Sequence, residues 1–121
     1  MTYEEFNKFC NSLIATTYIV QWGGSHVWKV GGKVFAIGGW EKNSNIPAFT
    51  FKTVEQNYYY LCEYSGYRPA PYMAARGMKW IQQYDDSPKE QENLKYYIKE
   101  SHRIVSLGLT KRKQKELDLN Q

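Results

Sequence analysis

The chain has little that binds a metal or reacts. Cysteine occurs twice, at Cys10 and Cys62, and histidine twice, at His26 and His102, in 121 residues. These four do not stand at the short spacings that build a zinc site. Two cysteines in a chain of this length do not make a disulfide scaffold either. No metal and no cofactor is therefore expected. No apolar run reaches the roughly 20 residues of a membrane-spanning helix. The opening stretch, MTYEEFNKFCNSLIATTY, carries two acids and lacks the apolar core of a leader peptide. The expected compartment is the cytoplasm, with both cysteines as free thiols on the apolar faces of helices.

Catalytic signatures are also lacking. Gly32-Lys33 has Val27 where a nucleotide phosphate loop needs its first glycine, and Val34 where it needs Ser or Thr. There is no Gly-x-Ser-x-Gly elbow. Ser25 and His26 are neighbours, and neighbours on a strand point to opposite faces, so one does not take the other's proton. Neither cysteine has basic neighbours that favour a thiolate. Asp85-Asp86 precede a helix start, where the helix dipole favours acids. The chain is not expected to be an enzyme.

Aromatic residues and positive charge are plentiful. Aromatics make up 17% of the chain, with 11 tyrosines, and the formal net charge is +4. Residues 89–121 hold most of the positive excess. This modest basicity permits contact with nucleic acid without requiring it.

The pattern of apolar residues sets out the elements. Thr2 and Glu5 form a capping box for a helix over 2–14, with Phe6, Phe9, Cys10 and Leu13 on one face. The period then changes to two through TTYIVQW, HVWKV, KVFAIGGW and AFTFK, punctuated by glycine pairs. Gly31-Gly32 marks a hairpin with a primed turn. EKNSNIP is a polar loop. Thr53 and Gln56 form a second capping box for a helix over 53–64, with Val54, Tyr58, Leu61 and Cys62 inward. RPAPYMAARG is an extended connector, since Pro69 and Pro71 keep the residues before them out of the helical region. MKWIQQY is a strand, with Trp80 and Tyr84 read as core against the helices. Ser87, Pro88 and Glu90 start a third helix that buries Leu94, Tyr97, Ile98, Ser101 and Val105. Gly108 ends it, and Thr110 caps a short basic helix within 109–118. The expected fold is α+β: a two-layer sandwich, an antiparallel sheet with helices on one face, in the order α-β(3-4)-α-β-α. Residues 1–121 form one domain.

Several stretches taken in order carry a family pattern: WKVGGKVFAIGG, FTFKTVEQ, RPAPYMAARGMKWI and IKESHRIVSLGLTKRKQKEL. With them the whole chain resembles the MmcQ/YjbR family. It departs from the family pattern at Ser101-His102, where a tyrosine is more usual after the serine, and at an extra Gly77. The resemblance implies a fold akin to type III secretion chaperones and frataxin-like domains, and a DNA-binding label. It carries over no catalytic residue. The first helix has two acids and Lys8 rather than an acidic ridge, so frataxin-like iron binding is not expected.

The candidate site residues are cations. Lys111, Arg112, Lys113 and Lys115 cluster in the last helix, and Arg68, Arg76 and Lys79 rim the proline-rich connector. Alternation puts Lys79 on the open sheet face unless the strand bulges at Gly77. Two partners are expected from these features. One is DNA, held at its phosphates by these seven residues. The alternative is another protein, met in a chaperone-like way by an aromatic sheet face.

Overall fold

The computed structural model describes residues 1–39, 46–73, 76–85 and 91–121, the side chains of 91 and 92 excepted. Helix α1 (Tyr3–Ser12) begins where its capping box places it. Thr2 Oγ1 accepts from the Glu5 N–H at 3.1 Å, and the Glu5 carboxylate accepts from the Thr2 N–H at 3.0 Å. Two orphan donors of the helix start are thus satisfied by each other's residues. The helix stops short of Ile14 because Leu13 is extended and Ala15 takes a φ of +59°.

Three strands follow: β1 (Thr16–Gln21), β2 (Ser25–Val30) and β3 (Lys33–Gly38). Gly31 and Gly32 both have positive φ, which is the primed turn that the β2–β3 hairpin requires. Next come β4 (Phe49–Lys52), α2 (Glu55–Cys62), β5 (Tyr67–Pro69), β6 (Trp80–Gln83), α3 (Gln91–Leu107) and α4 (Lys111–Glu116). The six strands form one antiparallel sheet in the order β1-β2-β3-β4-β6-β5. The fold is α+β, as expected.

The helices cover one face of this sheet. Phe6 and Cys10 of α1, Leu61 of α2, and Leu94, Ile98 and Val105 of α3 share a cluster with Trp28, Val30, Phe35, Phe49, Phe51, Tyr67 and Ile81. Ser101 fastens α3 to the sheet. Its hydroxyl donates to the Phe35 carbonyl at 2.6 Å and accepts from the Lys52 N–H at 2.8 Å. One buried side chain thereby satisfies a polar backbone group on each of two adjacent strands.

Four expectations change. The connector contains a strand: β5 pairs with β6 through Tyr67↔Gln83 and Pro69↔Ile81. Thr53 does not cap α2. The cap position is Val54, without a side-chain bond, and the Thr53 hydroxyl donates to the Lys79 carbonyl instead. Val54 is exposed rather than inward. The parity of β6 is reversed. Ile81 lies in the helix-covered core, so Trp80 and Gln82 face the other way, Tyr84 is exposed, and Lys79 turns toward α2. The proposed cap at Ser87, Pro88 and Glu90 and most of the EKNSNIP loop lie outside the described residues.

Candidate nucleic-acid interface

Strand direction gathers cations at one end of the sheet. β3 starts at Lys33, β4 ends at Lys52, and β6 starts just after Lys79, with Lys52 opposite Trp80. The β5–β6 connection, which carries Arg76, closes at this same end. Neighbouring strands are about 4.8 Å apart, so the β3, β4 and β6 backbones here span roughly 10 Å. The α3–α4 junction joins them: Lys33 Nζ donates to the Gly108 carbonyl at 3.3 Å. Leu109 and Leu117 flank the hairpin glycine Gly31 so closely that a Cβ there would meet Leu109 Cδ1 at 2.5 Å. This glycine therefore serves both the turn and the docking of α4.

α4 starts at its predicted cap, with Thr110 Oγ1 accepting from the Lys113 N–H at 3.1 Å. Lys111, Arg112, Lys113 and Lys115 are all exposed. Arg112 pairs with Glu116 at 3.2 Å, with 91% of the arginine side chain exposed. Such a pair holds its partner weakly. The acids near this end are Glu116, Asp118 and Glu55 of the first turn of α2.

The rim residues behave differently. Arg76 is exposed. Lys79 is half-buried: its ammonium lies 4.9 Å from the Tyr58 ring centroid and 5.1 Å from that of Tyr59, and donates to the Tyr59 hydroxyl at 3.4 Å. Arg68 lies on the other sheet face. It donates twice to Gln82 Oε1, at 3.0 and 2.7 Å, and stacks 4.7 Å from the Tyr84 ring centroid. Gln82 in turn donates to the Thr50 hydroxyl at 3.2 Å. Arg68 is thus a structural cation. The structure brings Arg76, Lys79 and the four α4 cations to one end of the sheet and sets Arg68 apart. Lys33 and Lys52 join that end through strand register, which the sequence alone did not display.

Cys10, Ser25, His26 and His102 are engaged or inert. Burial pushes the Cys10 thiol far above its ordinary value, which keeps it protonated. The Ser25 hydroxyl donates to the Trp22 carbonyl at 3.3 Å, while His26 Nδ1 is hydrogen-bonded to the Tyr18 hydroxyl at 2.7 Å and to the Asn7 amide at 3.3 Å. His102 packs edge-on against Phe35 and donates from Nε2 to the Ile14 carbonyl at 2.8 Å. Burial lowers its pKa, partly offset by that bond. Among the described residues no group of three His, Cys, Asp or Glu side chains is placed to hold a metal. No described helix is long and apolar enough to cross a membrane.

A cleft of about 650 Å³ opens beside His102, between Leu13 and Ile14, the Lys99 and Arg103 side of α3, and Leu119. Sequence reasoning missed it because its walls come from three distant segments. Arg103 there is held by Glu100 at 2.8 Å.

The YjbR family model matches residues 11–104. A solved structure of a Deinococcus radiodurans protein with a DUF419 domain superposes with a TM-score of 0.80 at 20% identity, over 98% of this chain and 88% of that one. A Pseudomonas syringae protein superposes with a TM-score of 0.68 at 16% identity, over 86% of this chain and 98% of the other. At these identities the two neighbours establish a shared fold. No curated protein matches the chain. The family match spans the sheet, α2 and most of α3, so the chain belongs to the YjbR family.

Proposed function

We propose that this YjbR protein is a non-enzymatic binder of nucleic-acid phosphate, with DNA as its partner. The observation that carries the reading is the convergence of exposed α4 cations with Lys33, Lys52, Lys79 and Arg76 at one end of the sheet. Cations presented this way exchange weak surface pairs for phosphate oxygens and release counterions from the polymer. Phosphate contacts of this kind read no base sequence. The binding is therefore sequence-tolerant and of micromolar or weaker affinity, roughly 10⁻⁴–10⁻⁶ M at physiological salt. A non-catalytic role is supported by the protonated Cys10 and by the engagement of Ser25, His26 and His102 in structural bonds.

Fluorescence anisotropy of labelled duplex and single-stranded DNA at 50 and 200 mM salt tests this. Replacing Lys111, Arg112 and Lys113 by alanine together should weaken binding and flatten the dependence of log K on log salt by about 2–3. Absence of binding at low salt overturns the reading. The alternative, an aromatic sheet face open to a protein, is not supported, because Val27, Ile37, Thr50, Trp80 and Gln82 are buried there.

A further inference from the structure

We propose that β1 is a self-association edge, through which two copies of the chain pair antiparallel and continue the sheet across a twofold axis. This inference does not depend on the phosphate reading.

The first observation is charge. Residues 9–28 contain no Asp, Glu, Lys or Arg, although 23% of the chain is charged. The second is position. β1 is an outermost strand of the sheet, yet its composition is that of a central one. Tyr18, Ile19 and Val20 are 44%, 42% and 54% exposed, so both faces of the strand show apolar side chains to water. The third is the backbone. The Gly31 N–H donates to the Ala15 carbonyl, which fixes the phase of the ladder. Ala15, Thr17, Ile19 and Gln21 then turn their backbone groups toward β2, and Tyr18 and Val20 turn theirs outward. Protected edges carry a lysine, a proline, a bulge or a short strand. β1 has none of these: its six residues pair with β2 in unbroken register.

The occupant follows from charge and symmetry. The chain is cationic, so two copies repel over most of their surfaces and meet least repulsion at this edge, whose own residues carry no charge. A twofold axis through the sheet keeps each side chain on its own face, so only residues of like parity can stand opposite one another. With Ile19 on the axis, Ile19 meets its own copy, Tyr18 meets Val20, and Thr17 meets Gln21. Each exposed apolar residue within β1 thus finds an apolar partner, including an aromatic–β-branched pair. The neighbouring register, with Tyr18 on the axis, sets Ile19 against Thr17 and Val20 against Thr16, and wastes that match.

Sedimentation equilibrium from about 1 μM to 1 mM tests the proposal. The wild type should show a monomer–dimer equilibrium. Ile19→Lys places two ammonium groups opposite each other and should weaken the dimer at least about 10-fold, with unchanged far-UV circular dichroism. Ile19→Cys, in a Cys62→Ser background, should oxidise to a symmetric disulfide dimer, because facing residues outside the hydrogen-bonded pairs lie about 4.5 Å apart. A wild type that stays monomeric to 1 mM overturns the proposal. A dimer that Ile19→Lys does not weaken overturns it as well.

Discussion

The sheet ends in two strands of opposite character. β5 has three residues, one a proline, and its arginine is tied down by Gln82 and covered by Tyr84. β1 has six residues, no charge, and apolar side chains on both faces. One edge is closed by polar bonds made within the chain, and the other has no strand on its outer side among the described residues. Edges differ in this way when only one has been blunted against further strands. The difference teaches that the outer limits of a sheet are set by side-chain chemistry as well as by where the chain runs out.

The comparison breaks most readily on the β5 side. Gln82 is fully buried, accepts twice from the Arg68 guanidinium and donates to Thr50. Gln82→Leu removes all three bonds, two of them to a charged group. Hydrogen bonds to charged groups contribute about 1.5–3 kcal/mol. Urea unfolding should show a loss of about 2–3 kcal/mol. A loss below about 0.5 kcal/mol would mean that this edge is not held by its polar network.

How much of this was legible in the sequence depends on the range of the interaction. Thr2 with Glu5, Gly31-Gly32 and Thr110 act within four residues, and each does what its spacing implies. β5 was not legible, because three residues with a proline look like loop until β6 stands opposite. The parity of β6 was misread because both faces carry apolar side chains: Trp80 outweighs Ile81 by size, yet Ile81 is the one that meets the helices. Thr53 failed as a cap because a distant carbonyl, that of Lys79, took its hydroxyl. All seven candidate cations were visible as charges. That Arg68 and Lys79 are engaged by Gln82, Tyr84, Tyr58 and Tyr59 belongs to tertiary contact alone.

On the β1 side the next effect is one of pH. His102 donates to the carbonyl of Ile14, just before the strand begins, and burial lowers its pKa below the ordinary 6.5. The unfolded chain then binds a proton near pH 6.5 that the folded chain refuses. Stability is full above that pH and is lost as pH falls through 6.5 toward the folded pKa. One proton limits the slope to about 1.4 kcal/mol per pH unit. Urea midpoints at pH 8, 6.5 and 5 should fall in that order, and His102→Gln should flatten the decline. An unchanged decline in the variant would assign the effect to other groups. Smaller still is Tyr18→Phe. His26 Nδ1 has two hydrogen-bond partners, the Tyr18 hydroxyl at 2.7 Å and the Asn7 amide at 3.3 Å, so the amide remains when the phenol goes. The expected loss is about 0.5–1 kcal/mol.

The smallest effect is the sharpest test of the contrast between the edges. Thr17→Lys gives β1 the charge that its counterpart already has. Thr17 is exposed and stands opposite Lys29 of β2, whose like charge water screens at this open position. If the outward side of β1 is unused within the monomer, the lysine reaches water and unfolding at about 1 μM shifts by no more than about 0.5 kcal/mol. The equivalent insult on the β5 side, at Gln82, is several times larger. A loss above about 1 kcal/mol for Thr17→Lys would mean that β1 is already held on its outer side by its own chain. The two edges would then differ in composition and not in engagement, and the case for a second copy at β1 would go with that difference.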